Sequence, residues 1–211
     1  MSRFRLILVV LFLTALYNSA VFAQSSGSFS ASFNATQCSI TDKTGILTGG
    51  ITGTSLPDVT VKVSSGNGVA LVITPSLVTG LFTDNKLSSS STSSTQNVGL
   101  RVKVTVDGVT TSVVPELGST GVIYDQRFMQ VTASFLSGLT TCTDTCFEIV
   151  ESTLSAHSFN FYVSNLTPGT HTIGVSWDIV GGTSGEATCV GPGTVTVEQV
   201  KNFSFNTGIS F

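Results

Sequence analysis

The chain has 211 residues, of which 10% are charged and 41% hydrophobic, and its formal net charge is −3. With nine Lys and Arg residues it lacks the basic footprint that a nucleic-acid backbone requires, so nucleic-acid binding is not expected. A low charge beside abundant Ser and Thr is typical of half-buried strands joined by polar turns.

The first 23 residues have the order of a secretory signal peptide. Arg3 and Arg5 give a positive start, residues 6–13 are an uninterrupted apolar run, and Ala23 ends a small-residue cleavage site. The sequence after it contains no 18 consecutive apolar residues, so we expect no transmembrane helix. The segment predicts an exported protein that is secreted, periplasmic or held at the cell surface.

Four cysteines follow the signal peptide: Cys38, Cys142, Cys146 and Cys189. An even number of cysteines in an exported chain indicates disulfides, and four cysteines allow three connectivities. We favour Cys142 with Cys146 across a tight loop, and Cys38 with Cys189 between the two ends of the chain. The second pairing would make residues 24–211 a single domain.

Alternating apolar and polar residues predict strands through the first half of this domain. The segments that alternate or form short apolar runs are 28–35, 59–63, 70–73 and 98–106. Asp107-Gly108 then predicts a hairpin turn into a strand over 109–114. Residues 84–96, which are rich in Ser and Thr, are predicted to form a flexible loop.

The second half carries a similar pattern. Residues 158–163 and 171–179 alternate on either side of the turn 165–169, which predicts a second hairpin. Its register would set His157 near Trp177 and Val163 near His171 on the apolar face. Residues 194–200 and 202–211 are predicted to form closing strands.

One segment departs from alternation. In residues 126–139 the apolar positions Phe128, Val131, Phe135 and Leu139 recur at helical spacing, which predicts one short helix. A strand continuing from residues 122–124 is the alternative. We therefore expect an all-β fold with at most this one helix.

Many short strands joined by turns rich in Gly and Pro indicate an antiparallel β-sandwich. Residues 166–173, with the sequence Leu-Thr-Pro-Gly-Thr-His-Thr-Ile, resemble the hairpin of immunoglobulin-like and fibronectin type III modules. The resemblance implies an immunoglobulin-like architecture for the domain.

We identify no catalytic, metal-binding or cofactor-binding motif and expect neither enzymatic activity nor a cofactor. Residues 174–178 come nearest to a nucleophile elbow, but Asp178 replaces its last glycine and the segment lies within a predicted strand. Trp177 is expected in the core. Tyr162 is expected to point outward, which makes it the one candidate platform residue for a ligand.

The sequence thus predicts an exported, non-enzymatic protein with a structural or adhesive role and an extracellular protein or polysaccharide as partner. A carbohydrate-binding module that uses Tyr162 is one alternative. Another is a small outer-membrane β-barrel, because the alternating residues 203–211, which end in Phe211, resemble the final strand of such barrels.

Overall fold

A computed structural model describes residues 27–65, 68–88, 93–116, 120–132, 145–182 and 184–201. In these ranges the regular secondary structure consists of β-strands, and the paired strands run antiparallel. The strands are β1 (Phe29–Asn34), β2 (Cys38–Ile40), β3 (Leu47–Gly49), β4 (Val59–Val63), β5 (Val69–Ser88), β6 (Ser93–Val106), β7 (Val122–Thr132), β8 (Thr145–Ser158), β9 (Phe161–Ser164), β10 (Gly169–Gly181) and β11 (Glu186–Lys201).

The strands form two main sheets and one small hairpin. The front sheet has the order β1-β11-β5-β8, and β9 also pairs with β5. The back sheet has the order β4-β10-β6-β7, and β2 pairs with β3. The all-β prediction is confirmed for the described residues.

The hydrophobic core lies between the two sheets. The alternation seen in the sequence becomes an alternation in burial: Val59, Val61 and Val63 of β4 are buried, and the residues between them are exposed. Both sheets contribute fully buried side chains, including Phe161 from the front sheet and Ile173 from the back sheet. Burying each such side chain contributes about 1.5–3 kcal/mol, which makes this core the main source of stability.

The long strand β5 is shared by two partners along one edge. β9 pairs with its first part, from Ala70 to Ile73, and β8 pairs with it from Ser76 onward. Pro75 lies at the break between these partners. A proline is tolerated there because β5 has no partner strand on that side to receive the missing N–H.

The predicted hairpin of residues 158–163 with 171–179 is wrong. β9 pairs with β5 in the front sheet, whereas β10 pairs with β4 and β6 in the back sheet. The turn after Ser164 therefore crosses between the sheets. His157 and Trp177 lie in different sheets, although Trp177 is buried as expected, with 6% of its surface exposed.

The predicted helix at 126–139 is also wrong for the residues that the structure describes. β7 continues as a strand to Thr132, and residues 133–139 lie outside the described ranges. The helical prediction assumed that the apolar positions share a buried face, but Phe128 is 65% exposed and does not belong to the core. Within residues 126–132 the partly buried positions are instead Arg127, Met129 and Val131, which alternate as in a strand.

Two further segments differ from the expectation. Strands occupy residues 84–88 and 93–96 of the predicted flexible loop, and residues 89–92 lie outside the described ranges. The strand expected over 109–114 is reduced to two isolated bridges, one from Val109 to Val106 and one from Val114 to Tyr162. The Asp107-Gly108 turn itself is present, with positive φ angles at both residues.

A disulfide between Cys38 and Cys189 fastens the β2–β3 hairpin to the front sheet, with a Cα–Cα distance of 6.0 Å. This is the pairing that the sequence analysis favoured. Gly80 lies beneath the hairpin, where an added Cβ would be 2.8 Å from Cys189 Sγ and 3.0 Å from Leu47 Cδ2. Cys142 lies outside the described residues, as does the side chain of Cys146, so their predicted pairing stays a prediction.

The predicted signal peptide, residues 1–23, and the terminal segment 202–211 lie outside the described ranges. Within those ranges no helix has the length and apolar character needed to cross a membrane.

Candidate interaction surface

The outer face of the front sheet carries an ordered array of aromatic and hydroxyl side chains. Strand register aligns Phe29, Glu198, Val72 and Tyr162 in one row across four strands. The next row contains Ala31, Thr196 and Thr74, and the third contains Phe33, Thr194, Ser76 and Ser158. We call these three rows the front face.

Aromatic side chains stand at the corners of the front face. Phe29, Phe33 and Tyr162 are 66%, 71% and 41% exposed. Strands about 4.8 Å apart place Phe29 and Tyr162 roughly 14 Å from one another, and four residues along β1 separate Phe29 from Phe33 by roughly 13 Å. The aromatic residues thus frame an area whose centre is made of Thr and Ser hydroxyl groups.

The front face is almost uncharged. Glu198 is the single charged side chain in its three rows. Thr74 donates a hydrogen bond from Oγ1 to Asn160 Oδ1 at 2.8 Å, which fixes one hydroxyl group of the middle row. Such a surface offers ring faces for stacking and hydroxyl groups for hydrogen bonds, and it repels neither anionic nor cationic partners strongly.

Two shallow depressions adjoin the rows. One, of about 400 Å³, is lined by Ser76, Ser158 and Thr194 of the third row together with Pro192, beside the bulge in β11. The other, of about 260 Å³, lies beside Tyr162 and includes Val72 and Val200. The front face therefore has a depression on each side of its central hydroxyl groups.

The exposure of β1 is a feature that sequence reasoning missed. Alternation predicted that Phe29, Ala31 and Phe33 share a face, and a sandwich would bury the apolar face of a strand. In the structure these residues are exposed, whereas Ser30, Ser32 and Asn34 are half-buried. Ser32 donates a hydrogen bond to the Pro57 carbonyl oxygen at 2.6 Å.

Each histidine contacts an acidic side chain, and His157 also lines the depression beside the third row. His171 Nδ1 lies 2.7 Å from Asp107 Oδ2, and His171 Nε2 lies 2.8 Å from the Thr167 carbonyl oxygen. Both partner atoms are acceptors, so these contacts favour the imidazolium form, in which both ring nitrogens donate. The bonds to Thr167 and Asp107 raise the pKa of His171, while the Thr172 N–H and His171 lower the pKa of Asp107.

The second histidine joins the two sheets. His157 of β8 has its Nε2 3.4 Å from Asp125 Oδ2 of β7, and fully buried Thr79 donates to the same oxygen at 2.8 Å. Tyr124 donates to the Pro75 carbonyl oxygen at 3.0 Å, and burial raises the pKa of its hydroxyl. These polar contacts tie β7 to β5 and β8.

Other charged groups form pairs on the sheet surfaces. Arg101 and Lys103 of β6 both contact Asp178 of β10, and the bond from Arg101 is the main reason that the pKa of Asp178 is lowered. Lys86 pairs with Asp84 and Glu148. Within the described ranges, no three His, Cys, Asp or Glu side chains are grouped as metal ligands would be.

No model of a known protein family matches the chain, and no curated protein sequence matches it.

Proposed function

We propose that this chain is an exported, non-enzymatic protein with an adhesive or structural role, and that the front face is its binding surface. The observation that carries the proposal is the array of hydroxyl groups framed by Phe29, Phe33 and Tyr162. Exposed aromatic side chains cost free energy in an isolated domain, and grouped on one face they are typical of a surface that binds a partner. Export rests on residues 1–23.

The architecture that we propose is a single immunoglobulin-like β-sandwich spanning residues 24–211. Two antiparallel sheets with a common core and a connection that crosses between them after β9 support it. The disulfide between Cys38 and Cys189 also supports one domain, because it joins residues 151 positions apart.

The partner that we propose is an extracellular polysaccharide or protein. A carbohydrate is the specific alternative that the front face favours, because sugar rings stack on aromatic side chains and their hydroxyl groups bond to Thr and Ser. Tyr162 is central to this alternative, since its ring lies in the same row as Phe29 and borders a depression.

The test is binding of the mature chain to an array of glycans and extracellular polysaccharides, with Tyr162→Ala as the diagnostic variant. We expect Tyr162→Ala to weaken binding by roughly 2- to 10-fold, the value of one aromatic contact. Phe128→Ala is the matched control, because Phe128 is an exposed aromatic residue of the back sheet. Equal loss in both variants would contradict the front face as the site.

Cell fractionation tests the proposed export. We expect the mature protein in the medium or released from the cell surface or periplasm, with an N-terminus at Gln24. Recovery only with detergent-solubilised outer membranes would favour the alternative based on residues 203–211.

A further inference from the structure

The strand β1 leaves one edge of the front sheet open. In the described part of the chain β1 pairs only with β11, and it is the terminal strand of the sheet. The Gln199 N–H donates to the Ser28 carbonyl oxygen at 2.8 Å, one step beyond the pair Phe29 and Glu198. This bond shows which residues of β1 face β11.

Hydrogen-bonding direction alternates along an antiparallel strand. Because Ser28 bonds to β11, Ser30 and Ser32 do so as well. Phe29, Ala31 and Phe33 then direct their N–H and C=O groups to the open edge. The same three residues are exposed on the front face.

This edge is complementary to a second copy of itself. An antiparallel pair centred on Ala31 sets Ala31 opposite Ala31 of the second copy and Phe29 opposite Phe33 of the second copy. All three positions become hydrogen-bonded pairs, each exchanging two bonds, with Cα atoms about 5.5 Å apart. Two Phe–Phe contacts on the front face add favourable cross-strand packing to these bonds.

The charges on and beside β1 permit such pairing. Residues 24–41 contain no charged residue and no proline, which are the usual means of protecting an open edge. Glu198 lies beside Phe29, and Thr194 lies beside Phe33. The two rows that contain Phe29 and Phe33 would therefore run from Glu198 to Thr194 of the second copy, and the middle row from Thr196 to Thr196, so the two acids are not opposed.

We propose that two copies of this chain associate through β1, antiparallel about Ala31, and join their front sheets into one continuous sheet. The partner is thus a second copy, and the proposal stands independently of the ligand of the front face. Association covers the open edge and packs Phe29 and Phe33 against each other across the twofold axis.

The test uses the mature chain with Ala31→Glu and Ala31→Lys, analysed by sedimentation over a range of concentrations. Ala31 is exposed, so both variants should unfold at the same denaturant concentration as the unchanged protein when each is measured at a concentration low enough for the unchanged protein to be monomeric. We expect a concentration-dependent dimer for the unchanged protein and monomers for each variant, because like charges would face each other on the axis. An equimolar mixture of the two variants should again form dimers.

Thr194→Lys is the matched control, since it adds a charge to the same face one strand away from the edge without setting two acids in one row, and it should preserve the dimer. A monomeric unchanged protein at all concentrations, a dimer of Ala31→Glu as tight as the original, or a mixture that stays monomeric would each overturn the proposal. Amide exchange supplies the second readout: the N–H groups of Phe29, Ala31 and Phe33 should be protected only in the dimer. Protection of these groups in the monomer would show that another segment covers the edge.

Discussion

Removing the Cys38–Cys189 disulfide should cost this protein a large part of its stability. The change is the double variant Cys38→Ser with Cys189→Ser. The two cysteines are 151 residues apart in sequence. In the chain-entropy model a cross-link over that separation restricts the unfolded chain by about 5 kcal/mol, which is comparable to the whole free energy of unfolding of a small domain.

The native contacts around the disulfide should survive its loss. The Ile51 N–H donates to the Val190 carbonyl oxygen at 2.7 Å, and Ser152 donates to the Gly45 carbonyl oxygen. These bonds hold the β2–β3 hairpin against the front sheet without the cross-link. The destabilisation therefore arises mainly in the unfolded state, which becomes less restricted and exposes more surface.

Urea unfolding followed by fluorescence measures the effect, because Trp177 is the single tryptophan and is buried. We expect a lower unfolding midpoint and a steeper dependence on urea for the variant, since the slope follows the surface exposed on unfolding. Cys142 and Cys146 are the same in both proteins, so they do not affect the comparison. A loss below about 1 kcal/mol with an unchanged slope would refute the reasoning.

Two more predictions concern the core and the buried histidine. Phe161→Ala should lower the free energy of unfolding by about 3–5 kcal/mol, because the ring is fully buried; a loss below 1 kcal/mol in urea unfolding would contradict this placement. His171, with its raised pKa, stabilises the fold fully below its ordinary value of 6.5 and loses this effect as pH rises through the folded pKa. Asp107, with its lowered pKa, loses its effect as pH falls below 3.8. His171→Gln should therefore remove a loss of roughly 1 kcal/mol that the unchanged protein shows as pH rises from below 6.5 through the folded pKa of His171. The loss is small because the partner Asp107 is half-exposed, and an identical loss in the variant would contradict the pairing.

A strand was predicted well where the burial of its residues follows the alternation of apolar and polar residues in its sequence. β10 alternates in burial as its residues alternate in character, and Trp177 is in the core as expected. The pairing of β9 with β10 could not be predicted, because alternation is the same whether the next strand lies beside the first or faces it across the core. The distinction depends on β5, which is distant in sequence and supplies the partner of β9.

The polar interior beside β7 explains the error over the helix. Asp125 and Arg127 take positions that apolar residues would occupy in an ordinary strand, and they bond to Thr79 and Thr153 of the front sheet. Sequence periodicity counts such residues as solvent-facing. Hydrogen-bond partners on β5 and β8 are needed to stabilise these polar residues in the interior.

The sidedness of β1 shows why the candidate site was only partly predicted. Paired residues of adjacent strands share a face, so Phe29, Ala31 and Phe33 lie with Glu198, Thr196 and Thr194. The opposite face of β11 carries Val195 and Val197, which are fully buried, so their burial determines which face of β1 points outward. Burying a Phe side chain contributes about 1.5–3 kcal/mol, and neither Phe29 nor Phe33 makes this contribution in the isolated chain. A second copy paired through the same strand would recover part of it, which is why the open edge and the exposed rings have one physical explanation.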